Sequence, residues 1–484
     1  MRYPPDIAAV RGTTPERLQR SWGELCAQYL LLTDGESIWR YNRARKDGDL
    51  DQGWKLHVSA TILNATEILK RIAPFLIECG VQFKAARSLK DVGSLNSGLL
   101  GTYSQVGKII TAYPRSDEEA VHLAKRLHKL TYRFRAPSVP FDLRFGETSN
   151  IYYRYGAFKK IELKQNGKLL SAVRSASGEL VPDLREQPMP DWVCDPFESS
   201  KPTSKTPKSD TQLTGGFRVL RALVQRGKGG VYNAIDIQST PPRLCLLKEG
   251  RRRGEISWDG RDGAWRVRHE QRVLSQLIRC GIGVPRVYAR FEVEGNVYLA
   301  MEFIDGDSLQ NFLLKRKRRL SIECVLNFGI QIAAFIAQMH HAGWAWRDCK
   351  PTNLIVNRDN RLVPIDFEGA EKIGRPDPLM WGTPGFIPRV SRAQRSHSGV
   401  TDDRYALGSI LFLLISGEIF DETQRIPISR LRRNVPCELQ RLVDSLLTVE
   451  PQERPSARRA QTQLESILLQ RSRKRLNLRA DKAA

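Results

Sequence analysis

The chain has 484 residues, enough for two or three domains that each bury a core, with a formal charge of +24 and a pI near 9.9. That balance suits an anionic partner, whether nucleic acid, an anionic membrane or a phosphorylated or acidic substrate, and charge alone does not choose among them. Eight cysteines, at 26, 79, 194, 245, 280, 324, 349 and 437, include no Cys-x-x-Cys and no neighbouring Cys-His pair, which argues against a disulfide scaffold and against structural zinc.

Met1 to Val10 lacks the apolar core of a secretory signal. The most apolar windows, Phe328 to Ala337 and Leu407 to Ile415, are too short to span a bilayer, so a cytoplasmic protein without a membrane span is expected.

In chain order, Tyr3 to Arg11 is a Pro-containing lead-in, and Thr14 to Leu32 has helical periodicity with Thr14 as a cap ahead of Pro15 and Glu16. Gly53 to Ala60 alternates like a strand, which puts Lys55 and His57 on one face. Thr61 to Cys79 reads as an amphipathic helix leading through Gly80 into a second strand, Val81 to Ala85, that carries Lys84. Gln105 to Pro114 reads as a third strand whose single charge is Lys108, followed by a helix from Ser116 to Lys129 capped by Ser116. Arg144 follows in Phe-Asp-Leu-Arg-Phe and Arg154 in Tyr-Tyr-Arg-Tyr-Gly. The segment is α+β, with helices between strands that mostly carry one cation in an apolar run.

A lone cation on a strand usually points to solvent. Lys55, His57, Lys84, Lys108, Arg144 and Arg154 have no equivalent acidic set beside them in the pattern, so together they predict an unneutralised anion site suited to phosphate.

Four pieces in order, Trp-Lys-Leu-His-Val-Ser at 54–59, Val-Gln-Phe-Lys at 81–84, Gly-Lys-Ile-Ile-Thr-Ala-Tyr-Pro at 107–114 and Tyr-Tyr-Arg-Tyr-Gly-Ala-Phe at 152–158, carry a resemblance. Residues 1–198 resemble the lyase domain of class III lanthipeptide synthetases and, more distantly, the phosphothreonine lyases of some bacterial pathogens. The resemblance implies metal-free β-elimination of phosphate from phosphoserine or phosphothreonine. It implies Lys84 as the base for the Cα proton, a role that needs its ordinary pKa near ~10.4 lowered by neighbouring cations. His57 matches the general acid on the leaving phosphate, suited to an imidazole titrating near neutrality. Lys55, Lys108, Arg144 and Arg154 are the implied phosphate ligands.

Glu162 to Asp183 reads as a small β appendage with turns at Gln165-Asn166-Gly167 and Ala176-Ser177-Gly178. Residues 199–212 are nearly devoid of apolar side chains and read as a linker.

Beyond it, Phe217 to Ile237 reads as two strands around Gly227-Lys228-Gly229-Gly230, a glycine-rich turn able to cover nucleotide phosphates. Lys248 on a third strand is the candidate phosphate-pairing lysine, and Glu270, in a helix from about Val267 to Leu277, its expected ion-pair partner. Ile322 to His340 is a long helix leading to Trp-Ala-Trp-Arg-Asp-Cys-Lys-Pro-Thr-Asn at 344–353. Here Asp348, Lys350 and Asn353, with Asp366 after a short strand, have the spacing of a phosphoryl-transfer loop. Asp348 would accept a hydroxyl proton, Lys350 would sit on the transferring phosphate, and Asn353 and Asp366 would hold Mg²⁺.

Phe217 to Leu469 thus resembles the eukaryotic-type serine/threonine protein kinase family, which implies ATP or GTP with Mg²⁺ as cofactors. Thr383 in Gly-Thr-Pro-Gly-Phe would bridge Asp348 and Lys350. Trp346 replaces the usual His, Glu368 the usual Gly, and Arg389 the acid expected to pair with Arg454, so the turn after Phe367 is expected to differ and that buried pair to be lost.

The expected layout is a lyase-like domain at 1–198, a linker at 199–212, a kinase-like domain at 213–470 and a basic tail at 471–484. The joint resemblance implies a bifunctional dehydratase acting on Ser or Thr of a ribosomal precursor peptide. A class III synthetase would continue into a zinc cyclase, so cyclisation is expected from a separate protein or not at all. A signalling kinase with an N-terminal phosphopeptide-binding domain is the alternative. A nucleic-acid-binding regulator has only the charge in its favour, without a helix-turn-helix, zinc finger or RNA-binding motif.

Overall fold

The structure, a computed structural model, describes residues 14–33, 35–99, 103–198, 212–213, 215–375, 377, 381–389 and 399–480. The expected lead-in at 3–11, the linker from 199 to 211 and the last residues of the expected tail, 481–484, lie outside them. The chain gathers into two compact units, Met1–Arg243 with Leu247–Val267 and Arg290–Tyr298, and Leu244–Leu246 with Arg268–Ala289 and Leu299–Ala484.

The first unit opens with helix α1 (Pro15–Tyr29), whose N-cap Thr14 side chain accepts the Arg17 N–H, with Pro15 at the first position where no N–H is needed. There follow β1 (Leu32–Thr33), β2 (Trp39–Tyr41), β3 (Gln52–Val58), α2 (Ala65–Glu78), β4 (Gln82–Ala86), α3 (Leu89–Ser97), β5 (Ile110–Tyr113), α4 (Asp117–Thr131), β6 (Leu143–Arg144) and β7 (Ile151–Ala157). Ser116 caps α4, three acids fill its first turn, and His128 and Lys129 lie in its last, in line with the helix dipole.

The strands form one antiparallel sheet in the order β1-β2-β4-β5-β3-β7-β6. Its register decides everything that follows. Leu56 pairs with Ala112 and Tyr153, and Phe83 with Ala112, so these side chains share one face, as do Val58, Ile110, Ala85 and Ile151. That face is buried under Ile68, Leu69 and Ile72 of α2 and Leu123 and Leu127 of α4 in one apolar core. Each such side chain contributes about 1.5–3 kcal/mol. The other face carries the alternate residues: Lys84 and His57 pair with Thr111, His57 with Tyr152, Lys55 with Arg154 and Arg144 with Tyr152. One face therefore holds the fold and the other holds the charge.

Lys108 departs from expectation: the strand begins only at Ile110, after a short 3-10 turn at Tyr103–Gln105. Gly107, at φ +78°, breaks the extended run, and Lys108 stands on the loop it creates. The appendage is a three-stranded sheet of β8 (Glu162–Gln165), β9 (Lys168–Arg174) and β10 (Leu180–Pro182), with Asn166 and Gly167 both at positive φ in its hairpin turn.

Further on are β11 (Gln212–Leu213), β12 (Phe217–Arg226), β13 (Gly229–Asp236), β14 (Arg243–Gly250), α5 (Gly263–Arg279), β15 (Val287–Val293) and β16 (Asn296–Glu302). The hairpin of β12 and β13 turns through Gly227 and Lys228 alone.

In the second unit lie β17 (Asp307–Ser308), α6 (Leu309–Leu314), α7 (Ile322–His341), β18 (Trp344–Ala345), β19 (Leu354–Val356), β20 (Leu362–Pro364), β21 (Glu371–Lys372), α8 (Gly399–Ser416), α9 (Ile428–Leu431), α10 (Cys437–Leu446) and α11 (Ala457–Ala480). Helix α7 is long and apolar enough to cross a membrane by length and composition, but Phe328, Ile332, Ile336 and Met339 are buried within the unit. Gly329 lets α8 approach α7, since a Cβ there would stand 2.6 Å from Leu411. The expected tail is, as far as Ala480, the end of α11.

Candidate active sites

The charged face of the first unit's sheet lines a cavity of about 520 Å³ that collects Lys55, His57, Lys84, Lys108 and Arg154 from β3, β4, β7 and the loop before β5. Arg144 is on the same face, one strand further out, and does not line the cavity. Its Nε donates to the Ser149 carbonyl at 2.7 Å, and its guanidinium lies 5.5 Å from the Tyr152 ring. Of the two arginines, Arg154 is the one that reaches the site.

The cations are not unopposed, and this corrects the reading of an acid-free cluster. Asp142, with a fully buried side chain, accepts from Lys108 Nζ at 2.7 Å and meets His57 Nδ1 at 2.5 Å. Asp183, just after the appendage, takes Arg154 at 2.5 Å, and Arg154 also donates to the Leu184 carbonyl. Asp142 stands two residues before Arg144 on an alternating stretch, a signal available in the sequence. Asp183 had none, because only the folded appendage brings it back to β7. Trp39 of β2 was also missed: the Lys84 ammonium lies 4.3 Å from its ring centroid.

Burial sets the proton affinities. It lowers Lys55 to about 7, with Asp183 opposing and Arg154, Lys84 and Lys108 adding to the shift. It lowers His57 to about 3, more than Asp142 raises it, which favours the neutral ring at pH 7 rather than one titrating near neutrality. Lys108 is also lowered by burial against the pull of Asp142. Burial alone would raise Asp142, but His57 and Lys108 together hold it at about 2.

In the second unit, Lys350 Nζ donates to Asp348 Oδ2 at 2.8 Å and to Thr383 Oγ1 at 2.9 Å, while the Thr383 hydroxyl donates to Asp348 Oδ1 at 3.1 Å. Asn353 Nδ2 donates to Asp348 Oδ2 at 2.9 Å and to its carbonyl at 3.0 Å, which turns the amide oxygen of Asn353 away from that carboxylate. Burial raises the pKa of Asp348, as does the nearby Asp366, against Lys350 and Asn353. Asp366 adopts φ +67°, a costly conformation for a residue with a side chain. Asn353 and Asp366 offer two hard oxygen donors, a set that fits Mg²⁺ completed by phosphate oxygens rather than a protein cage.

The departures have local accounts. Trp346 donates from its indole N–H to the Asp366 carbonyl at 2.9 Å and stacks on Phe367 at 5.7 Å, so it fixes the strained turn. The glycine requirement falls one place after Glu368, at Gly369, where a Cβ would stand 2.0 Å from Trp381 Nε1. Arg454, 2% exposed, donates to the carbonyls of Thr401, Thr448 and Val449. Arg389 donates its backbone N–H to Glu422. Asp403 accepts the Trp346 and Arg347 N–H groups, and Glu270, buried, accepts the Phe367 N–H at 3.0 Å.

Lys248 stands on β14 in the first unit. The glycines of the 227–230 turn answer to close packing: a Cβ on Gly227 would stand 1.6 Å from the Asn96 carbonyl oxygen, one on Gly229 1.8 Å from that of Glu249, and one on Gly230 2.3 Å from the Tyr232 hydroxyl. Gly227 N–H donates to the Ser97 carbonyl at 3.0 Å, and the Lys228 carbonyl accepts from Arg251 at 2.8 Å. The turn is thus fastened to the end of α3.

The domain family described as RamC, N-terminal domain, matches residues 31–209, and the protein kinase domain matches 227–464. The chain is 31% identical over 385 residues to the probable SapB synthase of Streptomyces coelicolor, covering 76% of this chain and 40% of that protein. It is 27% identical over 258 residues to the serine/threonine-protein kinase PknA of Nostoc sp., 50% of this chain and 45% of that one. To PknA of Mycobacterium tuberculosis it is 28% identical over 221 residues, 44% and 49% of the two chains. The chain therefore spans less than half the length of these relatives.

Proposed function

We propose, for a chain that joins a RamC-type N-terminal domain to a protein kinase domain, that it dehydrates Ser or Thr of a ribosomal precursor peptide in two steps. The working division is 1–198 for elimination, 199–212 for the tether and 213–470 for phosphorylation. The observation that supports this reading is one cavity lined by Lys84 and His57 together with Lys55, Lys108 and Arg154, in a chain whose second unit separately clusters Asp348, Lys350 and Thr383. Linked sites of this kind raise the local concentration of the phosphorylated intermediate.

In the first step Asp348 accepts the proton of the substrate hydroxyl and Lys350 offsets charge on the transferring group. Lys248, Glu270 and the turn at Gly227, Gly229 and Gly230 are the proposed nucleotide-binding residues, with Asn353 and Asp366 for Mg²⁺. Bound Mg²⁺ with ATP or GTP would supply the transferable phosphoryl group. In the second step Lys84 takes the Cα proton, the electron pair forms the Cα–Cβ double bond, and the Cβ–O bond breaks to release phosphate. Lys55, Lys108 and Arg154 hold that phosphate. His57, with Nδ1 turned to Asp142, presents Nε2 to the leaving oxygen, and the dianion beside it raises its proton affinity. The product is dehydroalanine or dehydrobutyrine, and the site is cytoplasmic.

The test is a chemically made phosphoserine peptide incubated with the protein in EDTA without nucleotide, read by intact mass. Elimination is expected, and it is expected to persist in Asp348→Asn, which loses all action on the unphosphorylated peptide. A folded protein that binds the phosphopeptide and leaves it intact is instead the signalling kinase with a phosphopeptide-binding domain.

A further inference from the structure

The second unit carries a groove of about 430 Å³ that the two reaction steps do not use. Its lining includes Leu313, Leu314, Leu320, Leu413 and Ile419, and four consecutive cations, Arg316, Lys317, Arg318 and Arg319; no Asp or Glu is among the described residues that line it. Two of its aliphatic side chains stand in water, Leu314 at 75% exposure and Ile419 at 58%. Lys315 spends its charge on Asp307 at 2.7 Å, Arg316 lies over Phe312, and Arg319 donates to the Leu431 carbonyl. Lys317 and Arg318 are exposed at the groove's edge.

The position of the groove matters as much as its chemistry. Pro351, the residue after Lys350, lines it, as does Phe386, three residues after Thr383. It therefore abuts the two segments that hold Asp348 in place. Exposed aliphatic side chains under a cationic rim, with no acid among the described lining residues, call for a ligand that brings both acids and aliphatic groups. A single-stranded nucleic acid would also meet the rim, but its bases stack on exposed aromatic faces, and the one aromatic residue among the described lining residues, Phe386, is 8% exposed.

We propose that this groove is a docking subsite for the peptide to be phosphorylated, taking an acidic segment with bulky aliphatic side chains next to the acceptor residue. The inference rests on the reading of the kinase domain as acting on a peptide. Its test is binding, so that it stands or falls apart from the chemistry. Fluorescence anisotropy of the full-length protein, without nucleotide, would use a short fluorescein-labelled peptide of alternating Glu and Leu with one Ser. The control peptide has Gln for every Glu.

Replacing Lys317 and Arg318 together by Ala, or Leu314→Glu alone, should weaken binding by about tenfold, the scale of two exposed charge pairs with their aliphatic contacts. The Gln peptide should bind as weakly to the wild type, and rising salt should erase the difference. Both variants lie on the surface, and unchanged melting temperatures would establish that they fold. Wild-type affinity in both variants overturns the proposal. So does a single-stranded oligonucleotide that outcompetes the peptide and loses its own binding in the double variant. Either result leaves the EDTA elimination test untouched.

Discussion

Asp142→Asn isolates what the buried carboxylate does for the proposed elimination site. The substitution keeps shape and one acceptor but removes the charge that Lys108 and His57 share at 2.7 and 2.5 Å. Each charge-assisted bond to such a group is worth roughly 1.5–3 kcal/mol. Since Asn retains one acceptor and the buried Lys108 can shed its proton, a loss near ~3 kcal/mol of stability follows, at the low end for a broken buried pair. The kinetic effect should be larger. With an amide in place of the carboxylate, His57 loses the partner that fixes Nδ1–H and the charge that supports an imidazolium, which removes its use as an acid. General acid loss typically costs about 10²- to 10⁴-fold. The assay is elimination from a chemically made phosphoserine peptide, followed by mass, beside phosphorylation of the unmodified peptide. The variant should phosphorylate at the wild-type rate and accumulate phosphopeptide. Elimination within about threefold of wild type, in a folded protein, would refute the argument that Asp142 positions His57.

Lys84→Ala should likewise accumulate phosphopeptide while phosphorylation continues, which co-incubation with nucleotide and mass analysis would reveal; joint loss of both steps would sink the division of labour. The Michaelis constant for phosphopeptide should rise as pH climbs through about 7, because Lys55 gives up its proton there and with it one charge-assisted bond, whereas below that pH the lysine is charged. In Lys55→Met that dependence should vanish, and its persistence would assign it elsewhere. Gly227→Ala should lower the melting temperature by several degrees, since its Cβ would fall 1.6 Å from a carbonyl oxygen that cannot rotate away, and an unchanged melting curve would contradict the packing.

The sheet was legible because alternation is strict: Lys55 and His57 fell on one face from period two alone, and the register of β3, β4 and β5 adds Lys84 to that face. The cluster around residues 344–353 was legible because phosphoryl transfer asks for particular residue types at short spacings, and Asp348, Lys350, Thr383 and Asn353 are hydrogen-bonded together. Lys108 was displaced from its strand by the left-handed Gly107, a backbone choice that an apolar run conceals. Asp183 was illegible for another reason. Charge neutralisation is a property of contacts made by distant chain segments, and Asp183 reaches Arg154 only after three short strands return it. Arg144 carried the right chemistry but stands one strand too far toward the edge, a distance that no motif encodes.

The fastening of Gly227 to Ser97 means that covalent and physical boundaries do not coincide. Scissors applied between residues 199 and 212 would divide the sequence but not the compact unit, which runs on through Arg243 and takes in Leu247–Val267. Two polypeptides made from such a cut would each carry a raw edge. One would present the Ser97 and Gly98 carbonyls and the Tyr103 ring, the other the Gly227 N–H, Arg226 and the Arg251 guanidinium that lies 4.5 Å from that ring. If these contacts set the boundary, the two pieces should co-elute on gel filtration when mixed, as subunits of one another rather than as independent modules.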